Sequence, residues 1–101
     1  MKLDQNHLNI LRNIGRSGKV TQRELALKLG LSLGKLNYCI CELKKKGLVK
    51  IKNFEKNPNK KRYLYILTPR GVTQKTNLLI NFMKRKMKEY DELKKELKVI
   101  N

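Results

Sequence analysis

Histidine occurs once in the 101 residues, cysteine twice and tryptophan not at all. Acids are nearly as scarce: 8 Asp and Glu stand against 25 Lys and Arg. From so few reactive groups no nucleophile–base pair, carboxylate pair or metal cluster can be assembled, so neither an enzyme nor a bound cofactor or metal is expected. His7 is expected on the surface of a helix, without chemistry. Cys39 and Cys41 lie two apart on one predicted helix, which turns their side chains away from each other. A bond between them, or a shared zinc, is not expected. No apolar run is long enough to span a membrane. The opening residues, MKLDQNHLNI, contain no signal-peptide segment. A cytoplasmic location is expected, with no membrane partner. Repeats and low-complexity segments are also missing.

What is abundant is positive charge. The formal balance is +17, and residues 1 to 88 alone carry 22 bases and 4 acids. Such a field attracts polyanions, although a Lys-rich surface also serves solubility alone. A 40% apolar fraction supports one modest core, to which a partner chain could add.

The organising stretch is Thr21 to Val49. Thr21 with Glu24 forms a capping box at a helix start. Leu25, Ala26 and Leu29 follow at helical spacing, and Gly30 supplies a left-handed stop. Ser32 caps a second helix with its apolar face at Leu36, Ile40 and Leu43. Cys39 packs beside that face as a small apolar residue. Gly47 ends the helix. Two helices joined by so short a turn form a helix-turn-helix.

The flanks complete the pattern. Asp4 caps a first helix to Ile14, its buried face built on Leu8 and Leu11, and Gly15, Ser17 and Gly18 end it. After Gly47, the run Leu48 to Lys56 alternates apolar and basic residues as a strand does. Asn57 to Lys61 reads as a turn, and the chain returns as a second strand rich in aromatic and aliphatic residues. Together these strands make a wing. Thr68 and Pro69 then open a last helix that runs to about Leu97. Val72, Leu79, Lys86 and Leu93 form one seven-residue series, and Thr76, Met83, Tyr90 and Leu97 another. Phe82 and Met87 widen the stripe. A helix apolar over so much of its circumference needs cover from two sides, most simply from a second copy in a two-fold dimer. The dimerisation candidates are Val72, Leu79, Phe82, Met83, Met87, Tyr90, Leu93 and Leu97. Back-folding onto the chain's own core is the alternative.

A helix-turn-helix places its second helix in the major groove. Removing the buried face leaves Ser32, Gly34, Lys35, Asn37, Tyr38 and Cys41 as candidates for contact. Gly34 permits close approach. Lys35 donates to guanine or phosphate, Asn37 pairs with adenine, and Tyr38 reaches phosphate or a thymine methyl, unless it packs on the wing. Oxidation of Cys41 would hinder docking, though an ordinary surface cysteine is the simpler reading. Thr21, Gln22 and Arg23 open the preceding helix, where free N–H groups suit a phosphate. Lys56, Lys60, Lys61 and Arg62 surround the wing turn, along the backbone or in the minor groove.

From the helix-turn-helix through LTPRG (Leu67 to Gly71) the chain resembles the MarR-type winged-helix transcriptional regulators. SLGKLNYC (Ser32 to Cys39), GLVKIKNF (Gly47 to Phe54), YLYILTPRG (Tyr63 to Gly71) and FMKRKMKEY (Phe82 to Tyr90) are similar to the small subgroup associated with exopolysaccharide loci. The resemblance implies homodimers that bind pseudo-palindromic DNA, usually as repressors, with a recognition helix over Ser32 to Lys46 and a wing over Lys52 to Arg62. The family's wing carries an Asp and, two residues on, an Arg that enters the minor groove. Those places hold Asn59 and Lys61 here, so the pair is missing, and Arg62 is the substitute at hand. A ligand pocket is unsupported, because the chain starts close to its first core helix.

The expected fold is mainly α with a small β wing: a winged helix-turn-helix over 1–68 and a C-terminal dimerisation helix over 69–101. The expected function is regulation of transcription through duplex DNA by a nucleoid-associated homodimer. The rival is an adaptor that binds protein through the C-terminal helix. RNA binding lacks any recognisable aromatic motif.

Overall fold

The computed structural model describes residues 3–17, 20–53 and 63–100. Helix α1 spans Gln5–Ser17, α2 Gln22–Leu29 and α3 Leu33–Lys45; strands β1 (Val49–Asn53) and β2 (Tyr63–Leu67) follow, and α4 runs Pro69–Ile100. The mainly helical fold with a two-stranded wing and a long last helix is the one expected.

Local chemistry accounts for the helix ends. Asp4 Oδ1 accepts the His7 backbone N–H at 3.1 Å, so Asp4 caps α1. Thr21 Oγ1 accepts from Glu24 N at the start of α2, and Ser32 Oγ accepts from Lys35 N at the start of α3. Both α2 and α3 close with the same paired bonds beyond their last turn. Leu31 N donates to Ala26 O and Leu48 N to Leu43 O, while Gly30 and Gly47 donate one turn back. This geometry needs a left-handed residue. Gly30 (φ 64°) and Gly47 (φ 73°) supply it.

The core is one cluster in which Ile10, Leu11, Ile14, Val20, Leu25, Leu36, Cys39, Ile40, Leu43, Leu48, Val49 and Tyr65 are buried together. Leu36, Ile40 and Leu43, the expected inner face of α3, are among them, and Cys39 packs with them as anticipated. Burial of each large aliphatic side chain contributes about 1.5–3 kcal/mol. The strands pair antiparallel with Val49 opposite Leu67 and Ile51 opposite Tyr65. That register puts Val49 and Tyr65 in the core and Lys50 outside, while Ile51, at 37% exposure, lies at the margin.

Three expectations need correcting. Helix α1 does not stop at Ile14 but continues through Gly15 to Ser17, because one Gly costs only about 1 kcal/mol in a helix. Helix α4 passes Leu97 and reaches Ile100. His7 is not a surface residue; it is only 4% exposed. It stands three residues before Ile10 and four before Leu11, on the buried stripe of α1.

The last helix is aimed by one junction. Thr68 Oγ1 accepts from Gly71 N and donates to Gly47 O at 2.6 Å. Thr68 N donates to Leu48 O at 3.0 Å. A Cβ on Gly71 would lie 2.0 Å from that same Leu48 carbonyl oxygen. The α4 backbone therefore passes directly over the Gly47–Leu48 turn, and only Gly fits. Substitution Gly71→Ala is expected to cost about 1–3 kcal/mol, the usual range for overpacking. Urea unfolding measures this; an unchanged midpoint would show that the junction yields freely.

Candidate nucleic-acid interface

Helix α3 is divided lengthwise. Its inner face is in the core, and its N-terminal outer face is open. Ser32, Leu33, Gly34, Lys35, Asn37, Tyr38 and Cys41 are all exposed. Tyr38 is 60% exposed, so it does not pack on the described part of the wing. Its ring instead lies 5.6 Å from Lys35 Nζ, within the range of a cation–π contact. Gly34 faces open space, with nothing within 4 Å of where a Cβ would sit. The fold itself does not require glycine there.

Helix α2 meets this face at its first turn. Gln22 Nε2 donates to Asn37 Oδ1, linking a residue at the start of α2 to one expected to read a base. The bond orients the Asn37 amide and leaves one carbonyl lone pair and both amide hydrogens for other partners. Arg23 is exposed beside it, and Thr21 and Gln22 are partly exposed. Among the candidates, Ser32, Gly34, Lys35, Asn37, Tyr38 and Cys41 share the solvent-exposed part of α3, and the Gln22–Asn37 bond brings the first turn of α2, with Thr21, Gln22 and Arg23, beside it. Lys56, Asn59, Lys60, Lys61 and Arg62 lie outside the described residues.

The dimerisation candidates divide along α4. Leu79 and Phe82 are half-buried, the Phe82 ring lying under Arg85 and Lys86 of the same helix, and Leu78 packs against the core. Val72, Met83, Met87, Tyr90, Leu93 and Leu97 are exposed. From residue 83 to residue 98 every position of the helix is exposed. The molecule measures 65 × 25 × 23 Å, and α4, with 32 residues and thus about 48 Å long at about 1.5 Å per residue, supplies most of the long axis. Back-folding of the whole helix onto the core does not occur.

Sequence reasoning missed one cluster entirely. His7 Nε2 lies 3.1 Å from Glu42 Oε1, and His7 Nδ1 lies 2.8 Å from Asp4 Oδ1. Glu42, on α3, is itself buried, and Cys39 completes the group from the same helix. The single histidine, expected to have no such neighbours, has three. The signal was present: Glu42 stands three residues after Cys39 and beside Leu43, on the inner stripe of α3. Burial pushes the Cys39 thiol above its ordinary pKa, with Asp4 and Glu42 acting in the same direction against Lys35. Burial also works against the Asp4 carboxylate. The His7 backbone N–H and ring outweigh it, and Asp4 titrates below its ordinary value.

Residues 3–50 match the family model for winged helix-turn-helix DNA-binding domains. No curated protein sequence matches the chain. The transcriptional regulator PcaV from Streptomyces coelicolor superposes with a TM-score of 0.73 at 18% identity, over 81% of this chain and 57% of that one. Wild-type MarR from E. coli, in its apo form, gives 0.68 at 22% identity, over 75% and 55% of the two chains. A mutant MarR from E. coli complexed with operator DNA gives 0.62 at 29% identity, over 71% and 50%. The chain therefore carries a winged helix-turn-helix. Its architecture is that of the MarR-type regulators, and it spans just over half the length of these matched structures.

Two positions at the start of α3 respond differently to substitution. Ser32→Ala removes the cap of α3 and is expected to lower stability by about 1 kcal/mol. Gly34→Ala, entering open space, is expected to leave stability unchanged or raise it by up to about 1 kcal/mol. Chemical denaturation of the two variants checks both; a destabilised Gly34→Ala would mean that the fold itself needs this glycine.

Proposed function

We propose that the chain is a sequence-specific regulator of transcription that binds duplex DNA as a homodimer, most simply as a repressor. The observation that carries this reading is the outer face of α3. A helix anchored in the core along one side holds a base, an amide and a phenol open to solvent at its N-terminal half. Placed in a major groove, Lys35, Asn37 and Tyr38 meet base edges and phosphates. Thr21, Gln22 and Arg23 meet the backbone. Lys56, Asn59, Lys60, Lys61 and Arg62 extend the contact along the backbone or into the minor groove. Ser32, Gly34 and Cys41 form the floor of the approach.

In this reading residues 1–68 bind DNA and 69–101 join two copies through Val72, Leu79, Phe82, Met83, Met87, Tyr90, Leu93 and Leu97. Two recognition helices then address half-sites about one helical turn apart. The winged-helix match and the operator complex of E. coli MarR support the DNA part. Placement in the exopolysaccharide-associated subgroup rests on the sequence resemblance alone, and a cytoplasmic site of action follows from a DNA target. Among the described residues no helix is long and apolar enough to cross a membrane.

The test is binding to duplexes from the gene's own upstream region against shuffled duplexes, across a salt series. Charge alone ensures salt-sensitive, nonspecific affinity. A preference of roughly 10³-fold or more at physiological salt, lost in the Asn37→Ala Tyr38→Ala double variant, is the expected result. Equal binding to both duplexes would remove regulation at this locus. Binding to neither would favour the adaptor reading, in which the exposed α4 stripe recruits a protein.

The dimer has its own test. Sedimentation at micromolar concentration is expected to give the mass of two chains for the wild type and of one chain for Met87→Glu Leu93→Glu. A single-chain mass for the wild type would overturn it.

A further inference from the structure

We propose that His7, Cys39 and Glu42 form a binding site for one divalent cation of the zinc type, clamping α1 to α3. The three ligand atoms, a ring nitrogen, a thiol sulfur and a carboxylate oxygen, all lie within 4.8 Å of one another, and all three residues are buried. Zinc bonds to such atoms at about 2.0–2.3 Å, which sets tetrahedral edges of roughly 3.4–3.7 Å. The His7 Nε2 to Glu42 Oε1 separation of 3.1 Å is already near that edge. A small rotation of side chains completes the set. The mixture of thiolate, imidazole and carboxylate suits zinc rather than magnesium or calcium.

The ring already has part of the arrangement that a metal needs. Its nitrogens face carboxylate oxygens, Asp4 Oδ1 at 2.8 Å and Glu42 Oε1 at 3.1 Å, and the Asp4 backbone N–H lies 3.0 Å from Nδ1. Asp4 thus holds the Nδ1 side of the ring, and Nε2 is left to Glu42 on α3. Cys39 of the same helix adds a sulfur to this buried group, so a metal at Nε2 would find three unlike donors together. With the metal at Nε2, Nδ1–H donates to Asp4. A carboxylate behind a ligating histidine is the usual arrangement for holding the ring's tautomer and orientation. Asp4 is thus a positioning residue.

The Asp4 side chain, behind the ring, is 56% exposed and lines an open groove with Leu3, Gln5 and Leu8 of the N-terminal segment. Binding replaces the Cys39 thiol proton: the S–H bond breaks, an S–metal bond forms and the proton leaves to solvent. The site does not depend on the DNA reading, since no residue proposed to contact DNA is a ligand.

Cobalt(II) titrated into the full chain carrying Cys41→Ser, whose only cysteine is Cys39, provides the test. One cobalt per chain is expected, with a near-ultraviolet thiolate-to-cobalt charge-transfer band and the strong visible absorption of a tetrahedral centre. Zinc should displace it and raise the melting temperature. In the same background His7→Gln should lose the band, and Asp4→Asn, which keeps all three ligands, should bind cobalt about 10-fold more weakly or worse. A Cys41→Ser protein without the band would overturn the proposal and leave a hydrogen-bonded His7–Glu42 pair. So would a band unchanged by both His7→Gln and Asp4→Asn, because the sulfur would then bind cobalt without the cluster. If His7→Gln does not fold, Asp4→Asn decides alone.

Discussion

The Thr68 hydroxyl ties the end of the helix-turn-helix to the start of the last helix. It donates to Gly47 O and accepts from Gly71 N. The end of α3, the end of β2 and the start of α4 are thereby joined through one side chain. The wing is a loop closed by this contact, since β1 leaves from Leu48 and β2 returns to Leu67. Closing such a loop costs entropy that two short strands recover poorly. The Thr68 bonds, with Leu48 O accepting from Thr68 N, add directional interactions at the base of the hairpin. They also set the direction in which α4 departs, because Gly71 must pass over the Leu48 carbonyl.

Everything proposed for α3 depends on how its two sides are used. One stripe is committed to the core through Leu36, Cys39, Ile40 and Leu43, which fixes the helix against rotation. The opposite stripe is then presented without choice: Lys35, Asn37 and Tyr38 cannot turn inward without taking the apolar set out. Rotamer freedom on the open face is reduced further by local pairs. Gln22 holds the Asn37 amide, and the Tyr38 ring lies near Lys35. Side chains already oriented lose less entropy on meeting a partner.

Much of this was legible in the sequence because each rule acts over a few residues. Thr21, Ser32, Gly30 and Gly47 marked helix ends whose hydrogen bonds are local, and Leu36, Ile40 and Leu43 marked one face by spacing alone. The His7 cluster was not legible in the same way. Its partners are 35 residues apart in the chain, and polarity argued for the surface at both ends. What overrode polarity was mutual satisfaction: a buried histidine and a buried glutamate are tolerated when each answers the other. The pairing of Gln22 with Asn37 was hidden for a related reason. Each residue alone reads as a free polar group, and only the packing angle of α2 on α3 makes them neighbours. The tip of the wing, with Lys56 to Arg62, rests on sequence reasoning alone.

Charge decides where a second copy can approach. Two chains at +17 repel over most of their surface. The exception is the end of α4, where residues 89 to 101 carry three bases and four acids. The exposed apolar side chains Tyr90, Leu93 and Leu97 lie in that same segment. Association there removes apolar surface from water without bringing the basic domains together. Joined at that end, two copies keep their basic helix-turn-helix domains apart and free for a polyanion.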